Sequence, residues 1–236
     1  MHFDYTYIIL FGFQIFEPMV LVTNTIFFIL CVLYFARLNK LPHLYAKQMA
    51  WFMLMLGTSS VFGAVGHAVH MQMGDIFFNV IVFFMNAFSL LSIYFCFRAA
   101  YTYFNLQRLP KKKYIYVAMA YVLILLVVSA IVRDFTIIKV HAGIVLVYSL
   151  IVHYLVYRRS QEKGSQLVVL GILLSFLPII VHSLHFSIDE WFNYKDIAHT
   201  IMIISLIVIY KGAYKISRGL PSNTQPDPAS RSALKV

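Results

Sequence analysis

His67 and His70, His182 and His185, and Asp196 and His199 are each separated by three positions. Residues three or four apart are neighbours on an α-helix, so each pair lies on one stripe. Helical bundles present metal ligands in this way. Ser59, Ser60, Gly63 and Gly66 precede the first pair, and Asp75 follows it. A histidine-rich group flanked by carboxylates suits zinc, with iron or another transition metal a weaker expectation on composition. Three protein nitrogens and a water leave an open coordination position, where the water's pKa falls towards neutrality. The chemistry expected of His67, His70, His182, His185 and His199 is therefore metal-assisted hydrolysis. Asp75 or Asp196 would orient a ligand or take a proton, and Ser60 is a candidate catalytic hydroxyl. An ordinary reading stands beside each residue. A histidine near a helix end is commonly hydrogen-bonded or at headgroup depth, which is the reading for His141. Ser59 and Ser60 suit close helix packing, and Asn24, Asn79 and Asn86 suit hydrogen bonds between helices. Glu17 reads as an acid complementing a helix N-terminus.

The elements that position these residues follow from composition. The chain has 236 residues, 61% hydrophobic and 12% charged, with a mean hydropathy of +0.79. That much apolar surface excludes a soluble globular protein and implies an integral membrane protein. The fold class expected is all-α, a polytopic seven-transmembrane-helix bundle. Its spans fall at 18–36, 46–70, 76–97, 114–132, 137–157, 166–185 and 196–210. Most reach the ~20 residues a bilayer needs. Residues 1–16 form an interfacial N-terminal segment, with 5–16 predicted as an interfacial or re-entrant helix. Residues 17–216 form the seven-helix domain, and 217–236, rich in Pro, Ser and small residues, a disordered tail. Pro178 predicts a kink in span six. Cys31 and Cys96 lie inside apolar spans and imply no disulfide framework.

The formal charge of +10 is a topology signal. Arg37, Lys40, Lys47, Arg98, Arg108, Lys111, Lys112, Lys113, Arg158, Arg159 and Lys163 fall on one side with the basic residues after span seven. Arg133, Lys139 and Lys195 fall on the other. Basic loops mark the cytoplasm, so the N-terminus is expected outside and the C-terminus inside. No nucleic-acid partner is implied. The histidines divide the opposite way, because even-numbered spans end where odd-numbered spans begin. His67, His70, His182, His185 and His199 thus share one depth near the outer boundary, with Glu17, Asp75 and Asp196 at similar depth.

Seven spans, serine and histidine in span two, an acid near the start of span three and a histidine in span seven resemble the CREST superfamily. That group includes alkaline ceramidases and adiponectin-receptor-like proteins, and the orientation resembles the ceramidase branch. The resemblance implies a zinc ion held by one span-two and two span-seven histidines, assisted by a serine and an aspartate. His67 or His70 would take the span-two role, Asp75 the acid role, Ser60 or Ser59 the serine role, and His199 one span-seven role. The family's span-seven HxxxH is absent, since Lys195 and Ile203 lie four residues either side of His199. The third ligand would come from His182 or His185. Gly63 and Gly66 stand where the family's serine-to-histidine spacing of four would place serine.

The function expected is a zinc-dependent intramembrane hydrolase of a lipid amide or ester. Its partners would be the bilayer and a lipid-like substrate, in a plasma or inner membrane. Two alternatives stay open. A haem-binding electron carrier would use span-two and span-six histidines as axial ligands. A transporter or sensor would concentrate His and Asp in the bundle without hydrolytic chemistry.

Overall fold

The computed structural model describes residues 6–69, 72, 74–105, 112–132 and 136–220. A two-stranded hairpin, β1 (Tyr7–Leu10) and β2 (Phe13–Phe16), precedes the helices. These are α1 (Pro18–Leu38), α2 (Leu44–Val69), α3 (Asp75–Phe104), α4 (Lys112–Val132), α5 (Thr136–Ser160), α6 (Lys163–Ser175), α7 (Leu177–Leu184) and α8 (Tyr194–Gly219). Helices α6 and α7 together make one apolar segment, Lys163–Leu184. Among the described residues, seven segments are long and apolar enough to cross a membrane, as an integral multi-pass protein requires.

Residues 5–16 were expected to be helical, and the described part of that stretch is instead an antiparallel hairpin. Its register pairs Tyr7 with Phe16, Ile8 with Ile15, Ile9 with Gln14 and Leu10 with Phe13. The two loop residues, Phe11 (φ 52°) and Gly12 (φ 82°), both have positive φ, as a type I′ turn demands. β-branched and aromatic residues on both sides of that turn favour strands over a helix. The tail begins later than expected, since Ser217, Arg218 and Gly219 still belong to α8. Residues 221–236 lie outside the described residues. The kink at Pro178 takes the form of a break at Phe176, with the proline in the first turn of α7.

Close helix crossings hold the bundle together where small residues remove the Cβ barrier. At α6 and α8, Gly164 faces Gly212 and Gly171 faces Ser205 and Ile209. The Ser205 hydroxyl donates to the Gly171 carbonyl at 2.7 Å. At α1 and α2, Gly57 lies against Cys31. A Cβ at Gly212 would stand 2.6 Å from the Gly164 carbonyl oxygen, and one at Gly57 would stand 2.6 Å from the Cys31 Cβ. Gly63 and Gly66 behave differently. A Cβ there would meet its nearest neighbour, Met85 Sδ or Ile81 Cγ2, at 3.4 Å and 3.5 Å, ordinary contact distances.

Gly212→Ala is therefore expected to lower stability by roughly 1–3 kcal/mol, since a fixed backbone atom must move. Gly63→Ala is expected to be neutral or stabilising by up to about 1 kcal/mol. Thermal unfolding of the two variants in detergent checks the contrast, and equal losses would contradict it.

Candidate functional site

Glu17 joins the hairpin to α1. Its backbone is left-handed (φ 48°, ψ 56°), which turns the chain from β2 into the first helical turn. Its N–H donates to Thr6 O at 2.9 Å, closing the hairpin, and its carbonyl accepts from Val20 N–H at 3.0 Å, opening the helix. A non-glycine residue there costs on the order of 1–2 kcal/mol, and such conformations gather at functional sites. The Glu17 side chain is 4% exposed.

A buried carboxylate needs partners. Glu17 finds them on two other elements. His67, in the last turn of α2, brings Nδ1 to 2.7 Å from Oε2. Lys195, in the first turn of α8, donates from Nζ to Oε1. Burial alone would raise the carboxyl pKa, but the contacts and charges of His67 and Lys195 outweigh it and hold the group at about 2. Glu17 is thus ionised at neutral pH. The nitrogen facing it must be the protonated one, so Nε2 is the His67 atom with proton-accepting chemistry.

Beneath this triad lies a second polar layer. The Asn24 amide donates to Val20 O at 2.8 Å and to His199 Nδ1 at 3.2 Å. Only an N–H can meet the Val20 carbonyl, so the amide orientation is fixed and the His199 Nδ1 lone pair is engaged. Thr23 Oγ1 lies 3.5 Å from the same nitrogen. Asp196 is 1% exposed. Its Oδ2 accepts from Asn193 N–H at 3.2 Å in a capping box, while Oδ1 is buried without a partner. His199 is within electrostatic reach of His67, His182, Glu17 and Lys195.

The remaining candidates scatter. His182 and His185 pack edge-on against the Tyr194 ring, with centroids 5.2 and 4.9 Å away. His185 is the left-handed C-cap of α7. Asp75 is exposed at the start of α3, and no described contact links it to Glu17. Ser60 Oγ donates back to Gly57 O at 2.8 Å, within its own helix. Ser59 donates to Met85 O at 2.9 Å and lies 2.7 Å from Ser89 Oγ, a helix-packing role. His70 lies outside the described residues. Asn24 bridges helices as its type suggests, and so does Asn86, which donates to Ser129 Oγ at 2.8 Å.

The described side chains are partnered with one another instead of converging on one point. Asn24 engages the His199 lone pair, and Lys195 holds the carboxylate nearest His67. Among the described residues, no group of three His, Cys, Asp or Glu side chains is placed to hold a metal ion. The zinc expectation rests on residue types and on the resemblance alone. Glu17 and Lys195 are the functional candidates that residue spacing missed. Their one signal was position, an acid at the start of span one and a lysine at the start of span seven, on the same side of the bundle.

The triad opens on a cleft of about 260 Å³ between α2 and α3. Phe62, Phe78, Ile81, Val82 and Met85 make its walls, Gly63 and Gly66 its floor, and His67 and Lys195 its polar rim. His67 is 43% exposed and Lys195 16%. The glycines that no close packing requires are the ones that keep this cleft open.

Glu17 gives the fold an acid-side dependence. Its pKa is depressed in the folded chain, so its stabilisation is complete above about pH 4.5 and is lost as pH falls towards 2. Unfolding midpoints of the wild type should fall more steeply over that window than those of Glu17→Gln. At pH 7 the variant should be less stable by roughly 3 kcal/mol, because the Lys195 ammonium and the His67 N–H lose their carboxylate. Parallel pH profiles would exclude the ionised triad.

No curated protein matches the chain. One family model covers residues 19–218, nearly all of the helical bundle described above and both His67 and Lys195, but not Glu17 itself. The chain belongs to DUF6962, a family of unknown function.

Proposed function

We propose that this chain is a membrane-embedded hydrolase of a lipid amide or ester, with a carboxylate-oriented histidine activating water. The observation that carries the reading is the buried Glu17 carboxylate between His67 and Lys195, at the rim of an apolar cleft. A long-chain substrate would lay its chain along the cleft and leave its carbonyl at the polar rim.

His67 Nε2 removes a proton from water as the water oxygen attacks the carbonyl carbon, and the carbonyl π pair moves onto oxygen. The Lys195 ammonium supplies the positive charge that such an oxyanion needs in a dry site. His67 then returns the proton to the departing amine or alkoxide, and the carbon–nitrogen or carbon–oxygen bond breaks. Glu17 is a positioning residue, which fixes the His67 tautomer and stabilises the imidazolium formed in the first step. Lys195 thus fills the electrophilic role that a metal hydrolase gives its ion. The distribution of basic residues supports an outward-facing N-terminus and site, and a plasma or inner membrane is the setting proposed for them.

A zinc-dependent version of the same hydrolysis is the competing reading, supported by the residue types and spacing of His67, His182 and His199. Assays and metal analysis separate the two. Vesicle-reconstituted protein should release fatty acid from long-chain amide or ester substrates, read by mass spectrometry. His67→Gln should reduce kcat by about 10²–10⁴, and Lys195→Met by about 10²–10³. Glu17→Gln should lower kcat with KM little changed, and Glu17→Asp should recover part of the loss. Activity should survive chelation, with far less than one equivalent of bound zinc. Stoichiometric zinc that His67→Ala and His199→Ala abolish would replace this mechanism with the metal one. No release from any long-chain amide or ester would end the hydrolase reading.

A further inference from the structure

We infer that the hairpin formed by β1 and β2 is a membrane-surface anchor, whose apolar face and Phe11 tip bury in the lipid bilayer beside the Glu17 end of the bundle. Phe11 at the tip is 93% exposed, and Phe13, Leu10 and Ile8, on one face of the hairpin, are 67%, 48% and 38% exposed. A protein surface in water does not ordinarily offer such a continuous aromatic and aliphatic patch. Between Thr6 and Phe16 there is no charged residue. Water-exposed strand edges are normally protected by charge or proline, and this one has neither.

The register separates the two faces. Ile8, Leu10, Phe13 and Ile15 share one face, which is wholly apolar. Tyr7, Ile9, Gln14 and Phe16 share the other, which carries the hydroxyl and the amide. The first composition suits hydrocarbon, and the second suits the headgroup layer, where amphipathic aromatic rings collect.

Position supports the same partner. β2 ends two residues before Pro18, the first residue of an apolar span, so the hairpin starts at the border of the hydrocarbon. Each strand is about 13 Å long at ~3.3 Å per residue, while a headgroup layer is about 5–7 Å deep. A hairpin of that length lies along the interface with its apolar face down. Its root is held by the Glu17 N–H bond to Thr6 O, and its second strand by Gln72 Nε2, which donates to Gln14 O at 2.5 Å. The tip itself makes no such bond to the bundle among the described residues.

A single-tryptophan reporter tests this without reference to catalysis. Phe11→Trp is introduced with Trp51→Phe and Trp191→Phe, and the full chain is reconstituted in phosphatidylcholine vesicles. Vesicles with brominated acyl chains should quench the emission at least twofold, and aqueous acrylamide should quench it little. Strong acrylamide quenching without bromolipid quenching would put the hairpin in water and overturn the proposal. If the tryptophan-free background fails to fold, Phe11→Cys carrying a nitroxide serves instead, since Cys31 and Cys96 are buried. The nitroxide should be more accessible to oxygen than to a water-soluble nickel chelate. Dipolar broadening between labels would mean that a second copy covers the hairpin, which equally overturns it.

Discussion

One ionised carboxylate, taken out of water at the end of a hydrophobic bundle, constrains everything around it. Desolvating such a charge costs several kcal/mol unless cations stand close by. For Glu17 the partners, an imidazole and an ammonium, come from two elements far apart in the chain, the end of α2 and the start of α8. The carboxylate therefore ties three elements to one point. The left-handed backbone at Glu17 is tolerated because these contacts, the hairpin closure and the first turn of α1 all specify it together. The hairpin on one side and the helix on the other are oriented by the same residue.

Glycine serves two opposed ends in this bundle. Gly164, Gly171 and Gly212 let α6 and α8 approach until backbone oxygens fill the space a methyl would need. That crossing fixes α8, and through it the direction from which Lys195 arrives. Gly63 and Gly66, on the face of α2 towards α3, are not pressed by any neighbour and border open volume instead. Helical glycine is destabilising relative to alanine by up to about 1 kcal/mol, so its presence without a packing reason points to the space it leaves. Rigidity on one side of the site and room on the other are what a reactive centre beside a flexible substrate requires.

Much of the architecture was legible in the residues. Seven apolar stretches separated by charged or polar breaks map onto seven helical segments, because hydrocarbon admits few other solutions. Pro178 correctly marked the break in the sixth span, and Asn24 a bond between helices. The hairpin was not legible, because an uncharged aromatic run next to a span has the hydropathy of a helix. The feature that makes it a hairpin, positive φ at Phe11, belongs to a residue type that rarely adopts it. The centre of the site was equally hidden. Glu17 and Lys195 each look like an ordinary charge at a span border, and their pairing exists only in three dimensions. Histidine spacing drew attention to His67 and His199, but it could not reveal that Asn24 and Glu17 already engage one nitrogen of each ring.

The sequence separation within the triad has a consequence for biosynthesis. Lys195 lies 178 positions after Glu17, so the ribosome delivers the acid and His67 long before the ammonium that completes them. Through most of translation the first two helices carry an incompletely neutralised carboxylate at the lipid border, a state disfavoured until the last helix inserts and docks. The carboxylate is therefore fully partnered only once α8 has docked, which makes this contact a late step of assembly.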